Sequence, residues 1–302
     1  MTIHNSSKRP IIALLIASII WGATPAIMKL SLTSVPISSL GFLRFGAAAI
    51  LLFPFVYQKL RVKRSDIITI ILSGLLGITY NILFFFWGLT HTTAINAGLI
   101  TATVPIFTLF FAQFFLGEKI TNRLRFGVLL GFTGIACIIV KDILQQGISI
   151  SPFGDLLLLI STVSFVLYEI VSKKLFKKYN PLVITFYMFS VGAISFLPAT
   201  LFEYINFPSW ISSLSTPAVL GVVFGILGSS ILAYVLWNWG LSKMDVNRVG
   251  FFFYLNPIVS TITAVLLLSE KITVSFVVGS LFIVIGLFFA EAHLPYHRLH
   301  KA

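Results

Sequence analysis

Ten runs of about 20 apolar residues follow one another along the chain, and the segments between them are too short to fold alone. They cover roughly 11–31, 37–57, 67–89, 93–115, 123–141, 153–172, 182–202, 217–241, 248–268 and 273–292. A helix of about 20 residues, at ~1.5 Å each, matches the ~30 Å hydrocarbon thickness of a bilayer. The runs lack the alternating pattern of barrel strands, and a lipid-embedded segment must satisfy its backbone internally. The pattern therefore predicts an all-α integral membrane protein with ten transmembrane helices. With 58% of its 302 residues hydrophobic and 10% charged, the chain carries more apolar surface than a soluble domain can hide. Lys8, Arg9 and the apolar run behind them resemble a secretory signal, but the run continues past Trp21 to Leu30, so it reads as span 1.

The net charge of +12 raises the question of nucleic acid, and the positions of the charges answer it. Basic residues collect before span 1, after every even-numbered span, and after span 10: 17 of the 21 fall on one face of a ten-span chain. The exceptions are Lys29, Arg44, Lys141 and Lys271. This is an orientation signal, which places both termini in the cytoplasm and the chain in the cytoplasmic (inner) membrane. Membrane lipid is an expected partner of the lysine clusters, and nucleic acid is not. Cys137 is alone, so no disulfide forms within the chain.

The pentapeptide "GEKIT" at 117–121 returns as "SEKIT" at 269–273, 152 residues later. In the same register Trp87-Gly88-Leu89 falls on Trp239-Gly240-Leu241, Gly98 on Gly250, and Pro105-Ile106 on Pro257-Ile258. The chain is thus two halves, 1–142 and 143–302, of five spans each. Five is odd, so the second half enters the membrane inverted. Transporters use such halves to exchange inward-open and outward-open shapes about a site near the midplane. Thr121 and Thr273 are placed to cap the helices that follow, with Glu118 and Glu270 favouring the helix dipoles; a gating contact by either Glu is the other reading.

"WGATPAIMKL" (21–30), "LRFGAAAILL" (43–52) and the two E-K-I-T turns resemble the EamA-domain members of the drug/metabolite transporter superfamily. The resemblance covers nearly the whole chain as two tandem five-helix units. It implies a ten-helix basket whose central cavity is lined by spans 1–4 and 6–9, with spans 5 and 10 peripheral. It also implies secondary transport, export or exchange, of a small polar metabolite such as an amino-acid-like molecule. Span 6 departs from the pattern: "SFVLYEIVSKK" (164–174) stands where span 1 has its Trp-Gly pair.

The residues themselves say more about the pathway than about chemistry. No phosphate-binding G-x-x-x-x-G-K-[ST] loop is present, and no cofactor is expected. Of the five histidines four lie near the termini, and no metal site is expected. An enzyme acting inside the membrane would need a nucleophile set at depth, which the spans lack; a channel is the remaining rival. No acid lies near mid-membrane; Glu169 falls near the cytoplasmic end of span 6, four residues before Lys173. It pairs with that lysine, or it couples transport to protons as in an efflux pump. No acid lies in span 1, which favours metabolite exchange over proton-driven drug efflux.

Polar and aromatic residues inside the runs are the candidate substrate pathway: Trp21, Tyr80, Asn81, Tyr168, Tyr234, Trp237, Asn238, Tyr254 and Asn256. Each aromatic also fits simple packing, and each amide needs a partner wherever it lies. Pro105 and Pro257 sit near mid-depth and release the carbonyls of Thr101 and Phe253, which marks them as hinges. Arg44 is the deepest cation, and no acid lies in spans 1–4. It snorkels outward, meets helix-end carbonyls or Asp155, or joins Lys29 in an outer vestibule that attracts a carboxylate or phosphate.

Overall fold

The computed structural model describes residues 8–117, 120, 122–123, 125–134, 152–268, 277–279, 281–282 and 285–286. Eight helices among them are long and apolar enough to cross a membrane. With the sequence numbering of the spans these are span 1 (Lys8–Leu32), span 2 (Ile37–Lys59), span 3 (Arg64–His91), span 4 (Ala94–Leu116), span 6 (Phe153–Phe176), span 7 (Pro181–Asn206), span 8 (Thr216–Lys243) and span 9 (Val246–Leu267). The second part of span 5 and most of span 10 fall outside the described residues, as do both E-K-I-T turns but for Ile120. The described residues are helical with no strand, and the protein is an integral membrane protein.

Local chemistry sets the helix ends. Thr93 Oγ1 accepts from the Asn96 amide, Asn180 Oδ1 from the Leu182 amide, and Ser215 Oγ from the Ala218 amide, each opening a span. Pro181 and Pro217 follow two of these caps in the first turn, where a missing N–H costs nothing. Gly117 closes span 4 in the left-handed conformation, with φ of 66°.

The spans pair across the two halves of the chain. Span 1 packs on spans 8 and 9, span 6 on spans 3 and 4, span 2 on span 7, and span 4 on span 9. Spans 2 and 7 are clipped at both ends. At one end Glu203 accepts from the amides of Ser38 and Ser39, at 3.1 and 2.8 Å, and from the Ser39 hydroxyl. At the other, the Tyr187 hydroxyl donates to the Leu60 carbonyl just after span 2. Beside it Asp66, at the start of span 3, accepts from Lys178 and Tyr179, and the bond to Asp66 holds the Lys178 ammonium above its usual range. Spans 4 and 9 cross closely because Gly98 has no side chain: a Cβ there would lie 2.7 Å from that of Ser260. Aliphatic and aromatic side chains such as Phe114 and Leu266, about three-quarters exposed, form the surface that meets lipid.

Away from the 3₁₀ turns Tyr57–Lys59 and Arg64–Asp66 at the span ends, the described backbone leaves α geometry at four places, which fall in two pairs about 152 residues apart. Span 3 widens to π turns over Leu75–Tyr80, and span 8 over Gly225–Leu232. Span 4 is interrupted at residues 102–103, just before Pro105. Span 9 tightens to a 3₁₀ turn over Phe251–Leu255, just before Pro257. Proline at the second position of a new helical segment explains the last two breaks, since neither ring accommodates a continuous helix behind it. The π turns have no such residue signature.

Candidate functional site

All four irregular segments, or the residues beside them, meet at one cavity that is partly open to the outside. Its wall draws on spans 1, 2, 3, 4, 6, 8 and 9. Thr101 and Phe253, whose carbonyls the two prolines release, both line it. Among the described residues the wall holds one cation, Arg44, and no carboxylate.

Arg44 reaches the cavity from the first third of span 2 and is 1% exposed. Its Nη2 donates to Ser229 Oγ at 3.0 Å. Its Nε lies 3.3 Å from both the Gly225 carbonyl and Ser230 Oγ, and Nη1 lies 3.9 Å from Met28 Sδ. The guanidinium also sits over the rings of Phe45 and Phe86, 5.1 and 5.4 Å from their centroids. None of these partners is an anion. Gly225 makes the approach possible, because a Cβ at that position would fall 3.0–3.2 Å from the arginine side chain. Asp155, one partner considered for Arg44, instead accepts from Thr92 Oγ1 at 3.0 Å.

A wide π turn leaves carbonyls open to side-chain donors. Span 8 offers Ser229 O to Trp21 Nε1 at 3.0 Å, and span 3 offers Gly77 O to the Tyr234 hydroxyl at 2.9 Å. Trp21 and Tyr234 then meet edge to face, with centroids 5.0 Å apart. Phe165 and Phe253 complete an aromatic wall around Trp21. Asn81 Nδ2 bonds the Ser161 carbonyl and hydroxyl, so this amide is fixed by span 6. Asn256 is different: its Oδ1 is buried and accepts no hydrogen bond among the described residues, although the residue lines the cavity.

Of the residues singled out in the sequence, Trp21, Arg44, Asn81, Tyr234 and Asn256 come together in this wall. A second group lies beyond the cavity in a buried network. Tyr168 donates to Asn238 Oδ1, Asn238 Nδ2 donates to Thr185 Oγ1 at 2.7 Å, and Trp237 Nε1 donates to Glu169 Oε1 at 2.8 Å. Glu169 is fully buried, and Lys173 reaches the carbonyls of Leu241 and Met244. Tyr254 is buried against Gly131, with its hydroxyl on the Val128 carbonyl, which ties span 9 to the described part of span 5.

Two candidates stand apart. Tyr80 is 44% exposed and lines no part of the cavity. Lys29 also lies outside the wall, with Nζ 2.6 Å from the Thr92 carbonyl. In the structure Lys29 and Arg44 do not share one wall: the Thr92 carbonyl takes the lysine, and the arginine faces the cavity.

Sequence reading did not single out Thr24, Ser161, Ser229 and Ser230. Short hydroxyl side chains in an apolar span usually bond their own helix, so nothing in the sequence separates these four. Only the partners set them apart.

The comparisons with known proteins agree on the class. The EamA-like transporter family profile matches residues 8–140 and again 152–291. The chain belongs to the EamA-like transporter family. It is 29% identical to the uncharacterized transporter YyaM of Bacillus subtilis, over 93% of this chain and 92% of that protein. An uncharacterized transporter of Archaeoglobus fulgidus is 28% identical over 95% and 98% of the two chains. The S-adenosylmethionine uptake transporter of Rickettsia prowazekii is 29% identical over 80% of this chain and 79% of that one. A solved crystal structure shares the fold, with a TM-score of 0.74 at 19% identity over 93% of this chain and 96% of that one.

Proposed function

We infer that this EamA-family transporter is a secondary transporter that moves a small polar metabolite across the cytoplasmic membrane by alternating access about the central cavity. The observation that carries the reading is the placement of the irregular backbone. Non-helical segments at membrane depth are tolerated where they line a cavity, and here the paired breaks of spans 3 and 8 and of spans 4 and 9 adjoin one. A rocking of two inverted five-span halves, 1–142 and 143–302, exposes that cavity to each side in turn. Ten spans with both termini in the cytoplasm accommodate the charge distribution. Pro105 and Pro257 serve as the bending points.

A proton-coupled efflux pump is the second reading, and one observation favours it. Glu169 is a fully buried carboxylate in the helix that contributes Phe165 to the cavity wall, one turn away. Flux measurements in reconstituted vesicles separate the readings. Exchange predicts saturable uptake that rises when substrate is loaded on the far side and that survives collapse of the pH gradient. Uptake abolished by that collapse, and by Glu169→Gln, would establish the pump. Flux that never saturates would make the protein a channel. A panel of carboxylates, amino acids and nucleosides is the starting set, with S-adenosylmethionine included because a relative is named for its uptake.

A further inference from the structure

We propose that the cavity selects small organic anions, binding a carboxylate or phosphate on Arg44 and a hydroxyl of the same molecule on Asn256, and that it discriminates against molecules carrying an ammonium group. The proposal rests on reading the cavity as the substrate site.

Arg44 is the starting point. A guanidinium has five N–H donors in a planar fork. Within the protein its terminal nitrogens meet one hydroxyl, Ser229 Oγ, and one thioether, Met28 Sδ. The thioether is a weak acceptor. Two terminal N–H groups have no acceptor among the described residues. A charge held at this depth without an anion is costly, by ~2.5 kcal/mol or more at the membrane centre. Other cations in the protein show how an anion or a dipole is supplied: Lys178, exposed in the turn between spans 6 and 7, lies on Asp66, and Lys173 on two carbonyls. Arg44 alone combines full burial, the cavity wall and no carboxylate partner among the described residues.

The balance of charge then sorts the ligands. A monoanion neutralises the wall. A zwitterion leaves it with a net positive charge, and a cation adds a second one at low dielectric, where like charges repel strongly. Among the described residues no acid lines the cavity to receive an ammonium: Glu169, one turn from Phe165 in span 6, accepts from Trp237 and is not in the wall. The unfilled acceptor is the neutral Oδ1 of Asn256. A buried acceptor without a donor costs on the order of 1–3 kcal/mol, which a ligand hydroxyl relieves. Trp21, Phe165, Tyr234 and Phe253 give the rest of the molecule an apolar and aromatic bed.

The full chain, purified in detergent, tests this with isosteric probes. 3-Phenyllactate and phenylalanine differ by a hydroxyl against an ammonium. 3-Phenylpropionate lacks the hydroxyl, 3-phenyllactamide lacks the charge, and phenyl phosphate replaces the carboxylate. Titration calorimetry of the unaltered protein should show phenyllactate binding at least about tenfold tighter than phenylalanine and the amide, the gain expected of a charge-assisted fork. Phenyl phosphate binding tighter than 3-phenylpropionate, which likewise lacks the hydroxyl, would identify a phosphate as the preferred head group, and the reverse a carboxylate. Arg44→Gln should erase the preference for anions. Asn256→Ala should bring phenyllactate down to phenylpropionate while keeping both above the amide. Equal or tighter binding of phenylalanine or the amide, or no binding of any anion, overturns the proposal. If vesicles show saturable transport of an amine or a neutral solute, the transporter reading stands and only this selectivity falls. If no solute gives saturable transport, the transporter reading falls too.

Discussion

Gly225 shows how much of the site depends on a missing atom. Its carbonyl takes the Arg44 Nε, and its bare Cα lets the arginine chain pass. Gly225→Ala places a methyl 3.0–3.2 Å from Cγ, Cδ and Nε, within a packed and buried environment. Overpacking of this kind costs about 1–3 kcal/mol, or the arginine shifts away to avoid it. The expected outcome is a protein that reaches the membrane in normal amount and melts a few degrees lower. Anion binding should weaken about tenfold, checked by the same calorimetry. Unchanged binding would mean that the arginine need not hold this pose. The sequence identified Arg44 by its depth and lack of a nearby acid, but not its partners. Ser229 and Ser230 lie more than 180 residues away, and their positions depend on how the two halves register.

Among the elements, the apolar runs and the proline breaks were legible because each has a local cause. About 20 apolar residues make a span, and Pro105 and Pro257 cannot sit inside an unbroken helix. The π turns of spans 3 and 8 were not legible. They replace one hydrogen-bond ladder by another with no defining residue type, and Leu75–Tyr80 shares little but its register with Gly225–Leu232. The inward faces were hidden for a related reason. These helices are apolar all round, because lipid and core select the same side chains, so periodicity cannot tell Phe114 from Phe86. The paired breaks lead to a prediction about motion. With Ala at both Pro105 and Pro257, spans 4 and 9 should straighten and stiffen. Transport should slow several-fold at equal protein abundance, while ligand affinity changes less. An unchanged transport rate would make the breaks static features of the cavity.

At the scale of the molecule the account requires two halves of opposite orientation. The halves match one family profile twice, and their backbone irregularities recur at the same spacing. In a Cys137→Ser background, Lys119→Cys should react only with cytoplasmic reagent and Lys271→Cys only with external reagent. The same side for both would remove the inversion and alternating access with it. The most direct measurement uses the cavity itself. Ser161 lies in its wall, and with Cys137 replaced, Ser161→Cys carries one thiol to that site. The thiol should react with an impermeant maleimide applied from either side of sealed vesicles, in right-side-out and inside-out preparations separately, while the resting vesicles hold an ion gradient. A thiol that reacts from neither side or from one side only, or vesicles that leak their gradient, would contradict an alternately exposed central site.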